Sequence, residues 1–357
     1  HIKFPFFLTP THHYVGMVTY SRNIFVPRTW KGKRIKLFLE RPHIESVVII
    51  NGQKVGHDMS LNTPHVYDIS QYILPGKDNE IMINIYNGIE NVCVGQDSHS
   101  VTDQTQGNWN GIAGRIELRC KGHNSIDNVQ VWGDIGKSLA RIVVTGIKDK
   151  LTFHLNGKEI KTTKLNDSTY IMPISNPQLW SESLPYIYHL NVCSKDDTCH
   201  TTFGMREISI RGMQFYLNGK PIWLRGTVEC CGFPLKGYPP MDVNSWKKIL
   251  IKCKQYGLNA MRFHSYCPPE AAFIAADEVG FYLQPEGPSW PNHGVKINCG
   301  MAIDKYLMDE TKRMIAAYGN HPSFVMMSAG NEPAGDWVTW GDNWVEYWKQ
   351  TDNRRVY

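Results

Sequence analysis

Near Phe215 the texture of the chain changes, and that change limits its fold more than any other feature. Before it, short β-rich runs are broken by turn residues: Thr19 to Val26, Arg34 to Leu39, Ser46 to Ile50 and Glu80 to Tyr86, then Arg141 to Val144, Leu151 to Leu155 and Tyr188 to Val192. Asn51-Gly52 and Asn156-Gly157 each follow an apolar run, and glycine accepts the positive φ that a tight hairpin requires. The first block reads as an antiparallel sandwich, and the second has the length of an immunoglobulin-like one. After Phe215, short apolar strands alternate with helical patterns. The strands read Trp223 to Gly226, Ala260 to Phe263, Phe281 to Gln284 and Phe324 to Ser328. Trp246, Ile249, Leu250, Cys253 and Tyr256 repeat at helical spacing between Asp242 and Gly257; Pro269 opens and Gly280 closes a second helix; Asp304 to Tyr318 makes a third. Four βα units without a GxGxxG after a strand favour a (β/α)8 barrel over a dinucleotide fold. Only half of such a barrel is present.

Composition narrows the function classes. The 357 residues are enough for several cores, and 42% hydrophobic with 20% charged residues is a globular balance. The net charge of +5 is small, and Lys and Arg are scattered, which argues against nucleic acid as a partner. The longest apolar stretches have strand length, so no membrane helix is expected. The chain begins at His1 without a basic segment followed by an apolar one, which leaves its compartment open. Nine cysteines with no zinc-like spacing read as free thiols. Cys193 and Cys199 flank a polar turn and are the one pair that could meet across a hairpin.

In a (β/α)8 barrel the chemistry sits at the C-terminal strand ends. The candidates are Arg262, His264 and Tyr266 after the second strand, Glu286 and Trp290 after the third, and Ser328, Asn331 and Glu332 after the fourth.

Met326 to Pro333, MMSAGNEP, resembles the end of barrel strand four in the clan of retaining glycosidases that includes glycoside hydrolase family 2. Other motifs similar to that family recur in order. Val26-Pro27, Val47 to Gly56, Thr63-Pro64, Asp68-Ile69 and Trp109 to Gly114 (WNGIAG) resemble its sugar-binding jelly roll. Asn176 to Tyr188 (NPQLWSESLPYIY) and Phe203 to Arg206 resemble its immunoglobulin-like domain. Phe215 to Gly226 (FYLNGKPIWLRG), Gly257 to Arg262 and Asp277 to Tyr282 resemble its barrel. The resemblance implies a multidomain chain: a jelly-roll β-sandwich over 1–122, an immunoglobulin-like β-sandwich over 123–207 and the first half of a (β/α)8 TIM barrel over 208–357.

It also implies roles. Glu332 would be the general acid/base, protonating the departing oxygen and later taking a proton from water. Asn331 would bind the hydroxyl next to the scissile bond, and Arg262 would hydrogen-bond the nucleophile. His264 and Tyr266 would bind sugar hydroxyls, Glu286 would be a hydrogen-bonding pocket residue, and Trp290, Trp337 and Trp340 would stack on sugar faces from loops. The chain departs from the family pattern in two places. Its His264 stands two residues after the Arg rather than three, which departs from the family's placement of that residue, and Arg225 to Cys231 lacks the usual His, a departure expected to bear on substrate preference relative to the well-known β-galactosidases.

Some family members hold Mg²⁺ near strand three, but here Trp290 occupies the place of a carboxylate and His293 has no clear partner. No metal and no cofactor are expected. The nucleophile would be a Glu on strand seven, and Asp352 to Val356 resembles the approach to strand five, so a longer enzyme is expected around this portion. The implied activity is that of a retaining exo-β-glycosidase removing β-galactoside or β-uronide units from an oligosaccharide or polysaccharide in the periplasm or outside the cell. Lys236 and Arg262 leave room for an acidic sugar. The sequence leaves homo-oligomer formation open. The rival is a non-catalytic carbohydrate-binding protein on the same domains, which would have no need of an acid at Glu332.

Overall fold

Alternation of apolar and polar residues builds the first two layers of the molecule. The computed structural model describes residues 13–291 and 294–357; His293 lies outside them. Strands β1 (Met17–Val26), β2 (Arg34–His43), β3 (Glu45–Ile50), β4 (Gln53–Asp58), β5 (His65–Asp68), β6 (Lys77–Tyr86) and β7 (Gly111–Lys121) make two antiparallel sheets, ordered β1-β6-β3-β4 and β5-β2-β7. Ile81, Ile83 and Ile85 of β6 face Ile35, Leu37 and Leu39 of β2 across one core. Asn51 and Gly52 both adopt positive φ, 50° and 76°, as the hairpin between β3 and β4 demands. The connection from β6 to β7 is long, yet Val92, Val94 and Val101 bury themselves there with Ile44 and Leu61.

A second sandwich follows: β8 (Asn128–Asp134), β9 (Leu139–Thr145), β10 (Thr152–Leu155), β11 (Lys158–Glu159), β12 (Thr163–Lys164), β13 (Thr169–Pro173), β14 (Tyr188–Cys193) and β15 (Thr198–Phe203). Its sheets are ordered β12-β13-β9-β8 and β11-β10-β14-β15, around Val131, Ile142, Phe153, Leu190 and Val192. The β14–β15 hairpin sets Cys193 opposite Thr198 and Cys199 opposite Val192, so the two thiols are not cross-strand partners and both are free.

The third region opens with an antiparallel meander of β16 (Ile208–Arg211), β17 (Gln214–Leu217) and β18 (Lys220–Ile222), then turns parallel. Strands β19 (Gly226–Glu229), β20 (Ala260–Phe263) and β21 (Tyr282–Pro285) lie side by side in chain order, with α1 (Val243–Gln255) and α2 (Glu270–Val279) between them. The first strand begins at Gly226 rather than Trp223. The Asn259 side chain takes the Arg225 N–H at 2.7 Å and donates to the Trp223 carbonyl at 3.0 Å, so a side chain replaces the ladder there. Asp242 caps α1 by accepting from the Ser245 N–H at 2.8 Å, a contact typically worth about 1 kcal/mol. Gly280 ends α2 at φ 73°, and a Cβ there would lie 2.5 Å from the Glu182 carbonyl.

Helix α3 (Ile303–Tyr318) leads to Phe324 to Ser328, which runs beside β21 through isolated parallel bridges at Phe324 and Ser328 rather than as a full strand. The chain then forms α4 (Trp337–Thr351), which takes in Trp337 and Trp340, two residues expected in loops. Trp337 and Trp340 are therefore helical, with Trp337 exposed, Trp340 half-buried, and Trp344 and Trp348 in the core. Among the described residues no helix is long and apolar enough to cross a membrane.

Candidate active site

Strand alternation divides β20. Met261 and Phe263 pack with Trp246 and Phe273, whereas Ala260 joins a cluster with Tyr282 and Val325, and Arg262 shares the side of Ala260. From there the guanidinium joins two further strand ends. Its Nε donates to Glu286 Oε1 at 2.5 Å and its Nη2 to Asn331 Oδ1 at 2.7 Å. Glu286 is only 1% exposed. A buried carboxylate needs a counter-charge and further donors, and it has both: besides Arg262, the Ser265 N–H donates to Oε2 at 2.7 Å and the Ser328 hydroxyl to Oε1 at 3.1 Å. Glu286 thus accepts three hydrogen bonds and ties the ends of β20, β21 and Phe324 to Ser328. Arg262, expected to hold a nucleophile, spends its two bonds on Glu286 and Asn331.

Asn331 is buried, anchored by its N–H to the Ser289 carbonyl at 2.8 Å, and its Nδ2 has no protein partner among the described residues. Glu332, the next residue, is exposed. Its backbone stands at φ 36°, a region that costs a non-glycine residue about 1 kcal/mol or more and clusters at functional sites. The Trp290 Nε1–H donates to Glu332 Oε2 at 2.8 Å. Trp290, expected as a stacking surface, therefore also orients the candidate acid.

The wall behind Trp290 comes from the first sandwich. Residues 94–100 dock onto the barrel loops: the Trp290 N–H donates to the Val94 carbonyl at 3.0 Å, the His99 N–H to Ser265 Oγ at 2.7 Å, and the Ser98 and Ser100 hydroxyls to the Ser265 carbonyl at 3.2 and 2.7 Å. His99 Nδ1 then meets His264 Nδ1 at 2.7 Å. Trp290 packs edge-on to His264, ring centres 4.8 Å apart, and tilted to His99 at 5.6 Å. Burial lowers both imidazoles, His99 to about 4 with the proximity of His264 adding to it, so each ring is neutral near pH 7. One Nδ1–H donates to the other ring's lone pair, which leaves Nε2 as the free ring nitrogen of His264 for another partner.

Tyr266 corrects the sequence reading. Ser265 adopts φ 49°, which turns the chain inward, and Tyr266 is 4% exposed, edge-on to Phe263 at 5.5 Å. Its hydroxyl has no protein partner, and the ring lines a cavity of about 10 Å³ with Arg41, His99 and Trp109. It belongs to the core beneath the site and not to a sugar-facing surface. Glu229, at the end of β19, also escaped notice: burial pushes its carboxyl up to about 7, with the Gly232 N–H on one oxygen and no partner on the other.

An apolar cavity of about 310 Å³ opens beside Asn331, walled by Met327, Pro333, Trp337, Trp340 and Tyr357. A larger one of about 600 Å³ lies between the second sandwich and residues 319–322 and shares no lining residue with the site. Size is therefore the wrong guide, and the convergence of polar groups at strand ends is the better one.

This arrangement has known counterparts. Over 309 residues the chain is 25% identical to a β-galactosidase of Staphylococcus xylosus, covering 80% of this chain and 30% of that protein. It is 24% identical to a β-glucuronidase of Paenibacillus borealis, covering 94% and 61%. The chain thus spans about one-third to three-fifths of the length of these relatives. The solved β-glucuronidase of Ruminococcus gnavus superposes with a TM-score of 0.80 at 21% identity over 97% of this chain and 64% of that one. The β-D-glucuronidase of Dictyoglomus thermophilum gives 0.74 at 21%, over 96% and 64%. Residues 2–121 match the sugar binding domain of glycosyl hydrolases family 2 and residues 208–357 its TIM barrel domain. With both domains matched in order over most of its length, the chain belongs to glycoside hydrolase family 2.

Proposed function

We propose that this chain carries the acid/base half of a retaining exo-β-glycosidase, with Glu332 as the acid/base. The observation that supports it most is Glu332 itself: an exposed carboxylate on a strained backbone, oriented by Trp290 beside a buried Asn331. Asn331, held by Arg262, would keep one amide donor for the hydroxyl next to the scissile bond. In the first step Glu332 donates its proton to the leaving oxygen; in the second, as carboxylate, it takes one from water.

The nucleophile is proposed to lie outside these 357 residues. Glu286 is a poor substitute, because its two oxygens are taken by Arg262, Ser265 and Ser328 and the group is sealed from solvent. The substrate is proposed to be a terminal β-galactoside or β-uronide, approached by His264 Nε2 and Trp290.

Glu332→Gln in the full-length protein tests the assignment with a series of aryl β-glycosides. Turnover of substrates with poor leaving groups should fall by about 10²–10⁴, while substrates with good leaving groups, which need no proton, should lose far less in their first step. A uniform small loss across the series would reject Glu332 as the acid/base.

A further inference from the structure

No local Cys or His spacing in the sequence suggested a metal, but the fold brings three ligand-type side chains together from three distant segments. His99 comes from the β6–β7 connection, Cys230 from the turn after β19 and His264 from the end of β20, and one ligand atom from each lies within 4.8 Å of the others. We propose that His99, Cys230 and His264 form a transition-metal site that takes Zn²⁺, at the seam between the first sandwich and the barrel.

The backbone around the three residues is fixed independently of any ion. Ser265 receives the His99 N–H and gives its carbonyl to Ser98 and Ser100, which pins the loop to β20. Thr105 Oγ1 donates to the Cys230 carbonyl at 3.0 Å, and the Gln106 N–H to the Cys231 carbonyl at 3.1 Å, which pins the same loop to the turn after β19. The His264 N–H donates to the Glu229 carbonyl at 2.9 Å. A loop from one domain is thus clamped on both sides of its histidine, and the residues that would ligate are the ones it brings into register.

The donor set selects the metal. Two imidazoles and a thiolate suit Zn²⁺ and its spectroscopic substitute Co²⁺, and disfavour Mg²⁺ and Ca²⁺, which want oxygen. Zn–N bonds of about 2.0–2.1 Å at a tetrahedral angle place two nitrogens about 3.4 Å apart. The two Nδ1 atoms stand at 2.7 Å, so the rings need part by well under 1 Å. One ring already offers a lone pair, the other moves its proton to Nε2, and Cys230 releases its thiol proton to solvent as the metal–sulfur bond forms. Water would complete the fourth position. Because His264 packs on Trp290, and Trp290 holds Glu332, an occupied site would stiffen the wall that carries the candidate acid. The metal site does not depend on the glycosidase reading.

Co²⁺ titration of the chelator-treated full-length protein tests the proposal. One equivalent per chain should give a thiolate-to-Co²⁺ band in the near ultraviolet and four-coordinate bands in the visible, all abolished by added Zn²⁺. Cys230→Ser should remove the near-ultraviolet band and weaken affinity at least tenfold. His99→Gln should keep the band but also weaken affinity at least tenfold, and it decides the matter if the cysteine variant does not fold. Cys299→Ser, which alters an exposed thiol elsewhere, should change nothing. The absence of a saturable band, or a band that survives Cys230→Ser or disappears in Cys299→Ser, would overturn the site.

Discussion

The two sandwiches are built alike and attached to opposite ends of the barrel strands. The first meets the ends where the candidate chemistry lies. Arg41 of β2, 4% exposed, donates to the Leu61 carbonyl of its own domain and to the Cys267 and Pro268 carbonyls just after β20. Glu310 of α3 accepts the Leu61 and Asn62 N–H groups at 3.2 and 3.1 Å, and Arg313 pairs with Asp58 at 2.8 Å. The second sandwich meets the start of the Phe324 to Ser328 line. Arg206 donates to the Pro322 and Phe324 carbonyls at 3.0 and 2.8 Å and to that of Arg354, while Asn320 exchanges bonds with Val129 and Val131. One domain therefore supplies a wall of the site, and the other supports the strands from behind. Which end a domain docks on, and not its architecture, separates a site component from a brace.

The largest effect should come from breaking the brace. Arg206→Met removes a guanidinium that serves three buried carbonyls and should cost about 3–5 kcal/mol in denaturant unfolding. The KM of whatever protein remains folded should be unchanged, and a shifted KM would blur the contrast between the domains. Arg41→Met should cost about 2–4 kcal/mol by the same mechanism. Here kinetics should change as well, because the Cys267–Pro268 turn lies two residues after Ser265, which fixes both Glu286 and His99. An unchanged KM and kcat would place Arg41 with the braces.

Glu310→Gln sharpens the comparison through pH. Burial pushes the Glu310 carboxyl up to about 7, above the value of about 4.3 in an unfolded chain. The folded protein holds this proton more tightly, so the contribution is fully present below about pH 4.3 and is lost as pH rises through about 7. The Gln variant should flatten the fall in stability between pH 5 and 8 by about 1–3 kcal/mol relative to wild type, measured by paired urea curves. The two backbone donors and Arg313 favour the charged form and set the lower end of that range. Parallel curves would show that the seam of the first sandwich does not feel this proton. The smallest effect is expected at Lys137, whose pair with Asp134 on the second sandwich is exposed; Lys137→Ala should shift stability by less than about 0.5 kcal/mol.

Much of the barrel was legible where local chemistry decides structure. Ala260 to Phe263 forms the strand its apolar run announced, and Asp242 and Gly257 bracket α1 because a cap and a left-handed stop are local events. Helix α4 is weakly announced, because Gly341 and the β-branched Val338, Thr339 and Val345 lower its propensity, and Trp337 and Trp340 were expected in loops. The signal was there in Trp337, Trp340, Trp344 and Trp348, spaced three and four apart, with the last two buried. Tyr266 was misplaced because a single positive φ at Ser265 reverses which side the next residue faces, and nothing in a serine announces it.

From sequence alone came the order of domains, the strand ends that could carry chemistry, and Glu332 beside Asn331 as the pair to watch, since strands, turns and motifs are written in neighbouring residues. His99 and Cys230 lie 165 and 34 positions from His264, and no pattern joins them. Only the docking of the β6–β7 connection against Ser265 and Cys230 makes them neighbours. That docking was decided by burial of Val92, Val94 and Val101 under the seam and by carbonyls that needed donors there, which are properties of the packed chain and of no single segment of it.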